Sequence, residues 1–210
     1  MNIAIIGASG FVGRAIVSAS LFKNHYVYAI SRSGKFDNHP RLEVVHCDVF
    51  DEIKLHEVLK KADLIISSYN AGWTNPNLYQ EFMEGSKHII NVVKKLEKRL
   101  IVVGGASSLL LSNGDSAITQ ISAEWKDKVK GSFDLLDVLR KDLTFPWTFI
   151  SPAAEILPFD THESYNVGGD YMLYNSKGKS QITVADLAKF IVEQAIQLNN
   201  IHKRLTICNI

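Results

Sequence analysis

Gly7, Gly10 and Gly13 are the residues of this chain whose spacing most plainly serves a chemical purpose. They stand in the stretch Gly7-Ala8-Ser9-Gly10-Phe11-Val12-Gly13, after the apolar run Ile3-Ala4-Ile5-Ile6 and ahead of an apolar helical pattern from Ala15 onward. A strand that feeds such a loop into a helix makes a phosphate cradle. The first glycine permits the tight turn, the second lets a pyrophosphate approach the backbone, and the third lets helix and strand pack closely. Unpaired amides at the helix start face the anion. A glycine triplet alone is a weak signal; its place between strand and helix makes it a dinucleotide signature.

In such an arrangement the end of the second strand meets the adenosine ribose. NAD sites place Asp or Glu there to accept from the ribose hydroxyls. Here the strand ends Ala29-Ile30-Ser31-Arg32-Ser33, with no acid. Arg32 can fork onto a 2′-phosphate, and Ser31, Ser33 and nearby Lys35 add donors. The competing reading makes Arg32 a solvated loop cation. These residues favour NADPH over NADH. After the third strand, Asp48 can accept from the adenine amino group while Val49 packs on the ring. Asp48 can also cap the next helix, although Asp51 stands better for that task, and the adenine contact is preferred.

The elements that must hold these residues follow from hydrophobic periodicity. Strands are expected at residues 3–6, 26–30, 42–46, 64–67, 100–103, 148–151 and 204–208. Helices are expected at 11–22, 53–60, 76–96, 122–140 and 184–198. The early strands are continuous apolar runs, as parallel strands covered on both faces require. The alternation gives an α/β fold, a doubly wound parallel sheet with right-handed crossovers, the Rossmann arrangement. One domain over residues 1–210 is expected, with 152–182 contributing the substrate side. Asn75-Pro76 reads as a helix cap followed by a first-turn proline, and Thr183 with Asp186 as a capping box. Phe82, Ile89, Val92, Val93 and Leu96 mark one apolar helix face.

Composition narrows the partners. The 210 residues are 46% hydrophobic, enough for a sizeable core, and 23 Lys and Arg nearly balance 22 Asp and Glu. No basic stripe points to nucleic acid or an anionic membrane, and no apolar run spans a bilayer. The first residues lack the pattern of a signal peptide. Cys47 and Cys208 form no close motif and read as reduced and buried. A cytoplasmic monomer or homodimer is expected. Asp160, His162 and Glu163 match no common metal spacing, and no metal is expected.

The residues together resemble an atypical short-chain dehydrogenase/reductase. Ser67-Ser68-Tyr69-Asn70-Ala71, Val102-Val103-Gly104-Gly105-Ala106-Ser107-Ser108-Leu109 and Ile150-Ser151-Pro152-Ala153-Ala154-Glu155 resemble the small bacterial NADH-flavin reductase-like proteins. So do Gly168-Gly169-Asp170-Tyr171-Met172-Leu173 and the segment from Ser180 to Ala188. That group is similar to biliverdin reductase B and to NmrA-type redox sensors. The resemblance implies cofactor contacts from Ser68, Tyr69, Asn70 and Ala71, and a nicotinamide contact from Ser151, Pro152 and Ala153. It implies that Ser107 orients a carboxamide or an acceptor carbonyl; loop solvation is the other reading. Tyr69 and Trp73 can stack on a planar acceptor or be partly buried aromatics. Glu155, in apolar company, is either a proton donor with a raised pKa or a salt-bridge partner of Lys126 or Lys130.

One departure matters. The wider family carries a Tyr-x-x-x-Lys pair for proton transfer at an alcohol or carbonyl. The helix expected to hold it reads Ser122-Ala123-Glu124-Trp125-Lys126-Asp127-Lys128-Val129-Lys130, with Trp125 where the tyrosine belongs. Alcohol oxidation and epimerisation by that route are disfavoured. A flavin, quinone or other planar acceptor needs no such acid. The resulting expectation is an NADPH-dependent reductase whose flavin, FMN or FAD, is substrate and not prosthetic group. The alternative is a non-catalytic NADP(H) redox sensor.

Overall fold

The computed structural model covers residues 1–210. Ten strands form in chain order: β1 (Asn2–Ile6), β2 (Tyr26–Ser31), β3 (Leu42–His46), β4 (Leu64–Ser67) and β5 (Arg99–Val103), then β6 (Trp147–Pro152), β7 (Glu155–Leu157), β8 (Tyr165–Gly168), β9 (Gln181–Thr183) and β10 (Lys203–Asn209). Eight of them build one sheet in the order β3-β2-β1-β4-β5-β6-β10-β8. All neighbours are parallel except β8, which runs antiparallel to β10. β7 and β9 pair separately. No helix is long and apolar enough to cross a membrane.

Five helices cover the sheet: α1 (Phe11–Phe22), α2 (Glu52–Leu59), α3 (Leu78–Lys95), α4 (Ala123–Arg140) and α5 (Val184–Gln194). Ile3 and Ile5 of β1 share a core with Ile16 and Val17 of α1 and Leu187 and Ile191 of α5. Ala4 and Ile6 belong to the opposite core, with Leu55 of α2, Val92 of α3 and Leu136 of α4. Alternate residues of one strand therefore enter two cores, which explains the unbroken apolar runs. Strand order reverses between β1 and β4, so the crevice for a ligand opens beyond the carboxyl ends of these two strands.

The doubly wound α/β sheet agrees with the sequence. Three local features differ. Helix α3 starts at Leu78, because Asn75 and Pro76 close a turn ahead of it: Asn75 Oδ1 accepts from Asn77 N–H at 2.9 Å and Asn75 O from Leu78 N–H at 3.2 Å. Helix α5 stops at Gln194, after which Ala195, Ile196 and Gln197 make tight three-residue turns in place of helical bonds. β7, β8 and β9 have three or four residues each, too few for a period to declare itself.

The Thr183 cap is present, but the box is not reciprocal: Thr183 N–H donates to Asn209 Oδ1 at 2.8 Å, and Asp186 reaches back to the Thr183 hydroxyl instead. Thr183 Oγ1 accepts from Asp186 N–H at 3.1 Å and donates to Asp186 Oδ2 at 2.9 Å. The same carboxylate accepts from Asn209 Nδ2, Glu163 N–H and His162 Nδ1, each at 2.9 Å. Burial opposes ionisation of Asp186, but these hydrogen bonds outweigh it and hold its pKa below the ordinary value. Arg204 of β10, buried, donates to Ser108 O at 2.9 Å and Asp170 O at 2.9 Å, so it ties the turn after β5 to the C-terminal segment.

Candidate active site

The glycine loop has the shape its spacing implies. Gly7 adopts φ +77°, and a Cβ there would lie 2.5 Å from Ser68 O. A Cβ on Gly13 would lie 2.1 Å from Gly7 O, so strand end and helix start touch through their backbones. Gly10 caps α1 without a side-chain bond, leaving the first-turn amides unclaimed. Ser68 secures the loop from β4, donating from Oγ to Ile6 O at 3.0 Å.

At the adenosine corner, Ser31 is buried and its Oγ accepts from Gly34 N–H at 3.0 Å, while Arg32 and Ser33 are exposed. Arg14 joins them, which spacing alone did not suggest. Its guanidinium donates to Ser9 O and Lys35 O, both at 3.1 Å, and lies 4.9 Å from the Phe36 ring centroid. It clasps the loop after β2 to the glycine loop and adds positive charge there.

From the glycine loop a cavity of about 920 Å3 extends toward α4 and the C-terminal segment. Gly10, Phe11, Val12 and Gly13 form one end, and Gly104 to Ser107 with Pro152, Ala153 and Ala154 form a wall. Ser107 is buried, and its Oγ donates to Val129 O at 3.2 Å and lies 3.4 Å from Ser132 Oγ. Ser132, on α4, was invisible to sequence reasoning because only packing of α4 on the β5 turn brings it there. A Cβ on Gly105 would meet Ser132 Oγ at 2.8 Å, so this glycine permits the approach.

Aromatic rings dominate the far side. Tyr69 stacks on Phe82 with centroids 6.0 Å apart and donates to Glu81 O at 3.2 Å. Burial, assisted by the charge of Asp48, pushes the Tyr69 hydroxyl up to about 12, so it stays a neutral phenol. Tyr79 Oη donates to Asp134 at 2.6 Å and accepts from Lys130 at 3.4 Å. Trp73 is largely exposed at the cavity, 6.2 Å between centroids from Trp125 of α4.

The profile of the NAD(P)H-binding family matches residues 7–197, from the first cradle glycine to beyond α5. The chain belongs to the NAD(P)H-binding family. YwnB of Bacillus subtilis, itself uncharacterized, is 28% identical over 213 residues, covering 99% of this chain and 98% of its own length. Among solved structures, a Bacteroides thetaiotaomicron protein described as a "putative epimerase" is 31% identical with a TM-score of 0.90, covering 100% of this chain and 97% of that one. A Streptococcus pneumoniae protein described as a "putative NADH-flavin reductase" is 29% identical with a TM-score of 0.82, and each chain is covered fully.

The cradle fits this family's ligand, because no Cβ intrudes at Gly7 or Gly13 and the α1 amides are uncapped. Gly10, Phe11, Val12, Gly13, Ser68, Tyr69, Asn70, Pro152 and Ala153 all line the one cavity, together with Trp73 and Ser107. Within the loop, Ala8 is buried and Ser9 half-buried.

The expectations for Ser151, Val49, Ala71 and Glu155 need correction, since none of these four side chains lines the cavity. Ser151 has no exposed surface; it lies within β6, opposite Thr206 of β10, so only its neighbours Pro152 and Ala153 reach the cavity. Val49 is buried in the core with Leu55 and Val58, leaving little surface to cover an adenine, and Ala71 is buried likewise. Asp48 is not among them: Asp51 caps α2, accepting from Lys54 N–H at 3.0 Å, and the exposed Asp48 carboxylate accepts only from Phe50 N–H, at 3.1 Å through Oδ1. Glu155 is exposed, bonds Gln181 and stands outside the cavity lining; it pairs with neither Lys126 nor Lys130. Strand alternation explains it: Ile156 faces the cavity, so Glu155 points away.

Proposed function

We propose that this protein is an NADPH-dependent reductase that passes hydride to a flavin, quinone or similar planar acceptor. One observation carries the reading: a single cavity joins the dinucleotide cradle to an aromatic-rich chamber large enough for a second ring system. A sensor that only binds dinucleotide needs the cradle but not the chamber. The Streptococcus pneumoniae protein described as a "putative NADH-flavin reductase" supports the same reaction class.

When bound, the reduced dinucleotide supplies a hydride, and FMN as acceptor takes it with one proton from solvent. The protein's part is placement. The amides at the head of α1 hold pyrophosphate, and Arg32, assisted by Lys35 and by the Arg14 clasp, receives the 2′-phosphate. Pro152 and Ala153 give the nicotinamide end a rigid apolar wall. Ser107, braced by Val129 O and Ser132, presents a buried hydroxyl to that end. Tyr69, Phe82 and Trp73 supply flat apolar surface on which an acceptor stacks and from which water is displaced. With Trp125 in place of a tyrosine acid on α4, chemistry at an alcohol carbon lacks its usual proton donor, which favours an acceptor that can protonate from water.

The deciding experiment is an anaerobic rapid mix of protein, NADPH and FMN, with nicotinamide fluorescence and flavin absorbance followed together. Flavin bleaching well above the protein-free rate is expected. Nicotinamide binding without bleaching of FMN or a naphthoquinone would overturn the reading and favour the sensor.

A further inference from the structure

We infer that the acceptor is a planar ring carrying an anionic substituent, and that Lys128 is the residue that selects it. The inference rests on the reading of the cavity as an acceptor chamber. Every other residue lining that chamber is uncharged at neutral pH; Lys128 is the single cation and no carboxylate joins it. Its ammonium has no ion-pair or hydrogen-bond partner, although Glu124 stands one helical turn before it. The ammonium instead lies over a ring, with Nζ 4.5 Å from the centroid of Trp125.

The neighbouring lysine shows what an ordinary arrangement looks like. Lys130, two residues on, is paired with Asp134 and Tyr79. A cation left unpaired against a mostly apolar cavity creates a local positive potential that a ligand anion can neutralise. Beside it, Trp73 from the loop after β4 lines the chamber and is 54% exposed, while Trp125 of α4 stands behind the lining, 6.2 Å from Trp73 between centroids. Trp73 offers a face to a planar ligand, and Trp125, next to it, holds the Lys128 ammonium at the same wall of the chamber, within reach of a substituent on that ligand. A flat ring with a phosphate, sulfonate or carboxylate arm therefore matches both halves of the chamber. A neutral flat ring matches only one.

The test compares ligand pairs that differ only in the anion: FMN against riboflavin, and 1,4-naphthoquinone-2-sulfonate against 1,4-naphthoquinone. Binding is measured to the full-length protein saturated with NADP+, where no reduction occurs, for the wild type, Lys128→Gln and Lys128→Arg. Wild type should bind the anionic member about tenfold tighter or more, the effect of one charge-assisted hydrogen bond. Lys128→Gln should abolish that preference by weakening the anionic member, and Lys128→Arg should restore most of it.

An absent preference, or one that survives Lys128→Gln, would overturn the inference. So would equal weakening of both members, or weakened NADP+ binding, since Lys128 would then serve the cofactor or the fold. A Lys128-dependent preference in binding without hydride transfer would leave the anion site standing and defeat the proposed reaction instead. Hydride transfer to FMN and riboflavin with equal affinity for the two would do the reverse.

Discussion

Gly13 of α1 and Gly7 at the end of β1 are in backbone contact so close that a Cβ on Gly13 would lie 2.1 Å from Gly7 O. Neither partner can give way, because both atoms belong to the backbone of a packed strand–helix turn. Gly13→Ala should lower stability by about 1–3 kcal/mol and displace the amides that meet the pyrophosphate. Gly10→Ala meets only Gly7 O, at 3.3 Å and at an ordinary φ of −71°, so it should fold and lose dinucleotide affinity alone. Thermal unfolding and NADPH titration of both variants check this; intact NADPH affinity in a folded Gly13→Ala would contradict it.

Arg32 is exposed beside Ser33 and makes no bond to the protein, so its charge is free for a ligand. Arg32→Ala should weaken NADPH about tenfold or more and leave NADH nearly unchanged, because charged hydrogen bonds contribute about 1.5–3 kcal/mol. Equal losses for the two nucleotides would defeat the 2′-phosphate assignment.

Glu155 is exposed and paired with Gln181 outside the chamber. Glu155→Gln should therefore leave the pH–rate profile of flavin reduction as it is in the wild type. A lost acid limb in that variant would restore Glu155 as a proton donor.

Asp142 concerns stability. Its hydrogen bonds from Lys94 Nζ, at 2.6 Å, and from Thr144 hold the carboxyl down at about 2, against 3.8 when unperturbed. A depressed folded-state pKa contributes stability above the unfolded value and loses it as pH falls through the folded one. That contribution should be intact above pH 4 and fade between about pH 4 and 2. Urea midpoints across this window should fall less steeply for Asp142→Asn than for the wild type, and parallel curves would refute the link.

The residues that announce themselves in the sequence are those whose role is local. The cradle glycines sit at fixed spacing between a strand and a helix, and the apolar runs of β1, β2 and β4 reflect burial on two faces. Thr183 and Asp186 cap α5 within one turn, so their pairing needs no knowledge of distant elements. What depends on elements far apart in the chain was decided only by folding. Arg14 became a clasp because the loop after β2 returns to the glycine loop, placing Lys35 O within reach. Ser107 found Ser132 because α4 packs on the turn after β5, and Ser151 was buried because β10 arrives beside β6 fifty residues later in the chain. Sequence periodicity records which face a side chain occupies along its own element. Which side chains meet across a crevice is set by the order and register of strands, and that information belongs to the assembled sheet.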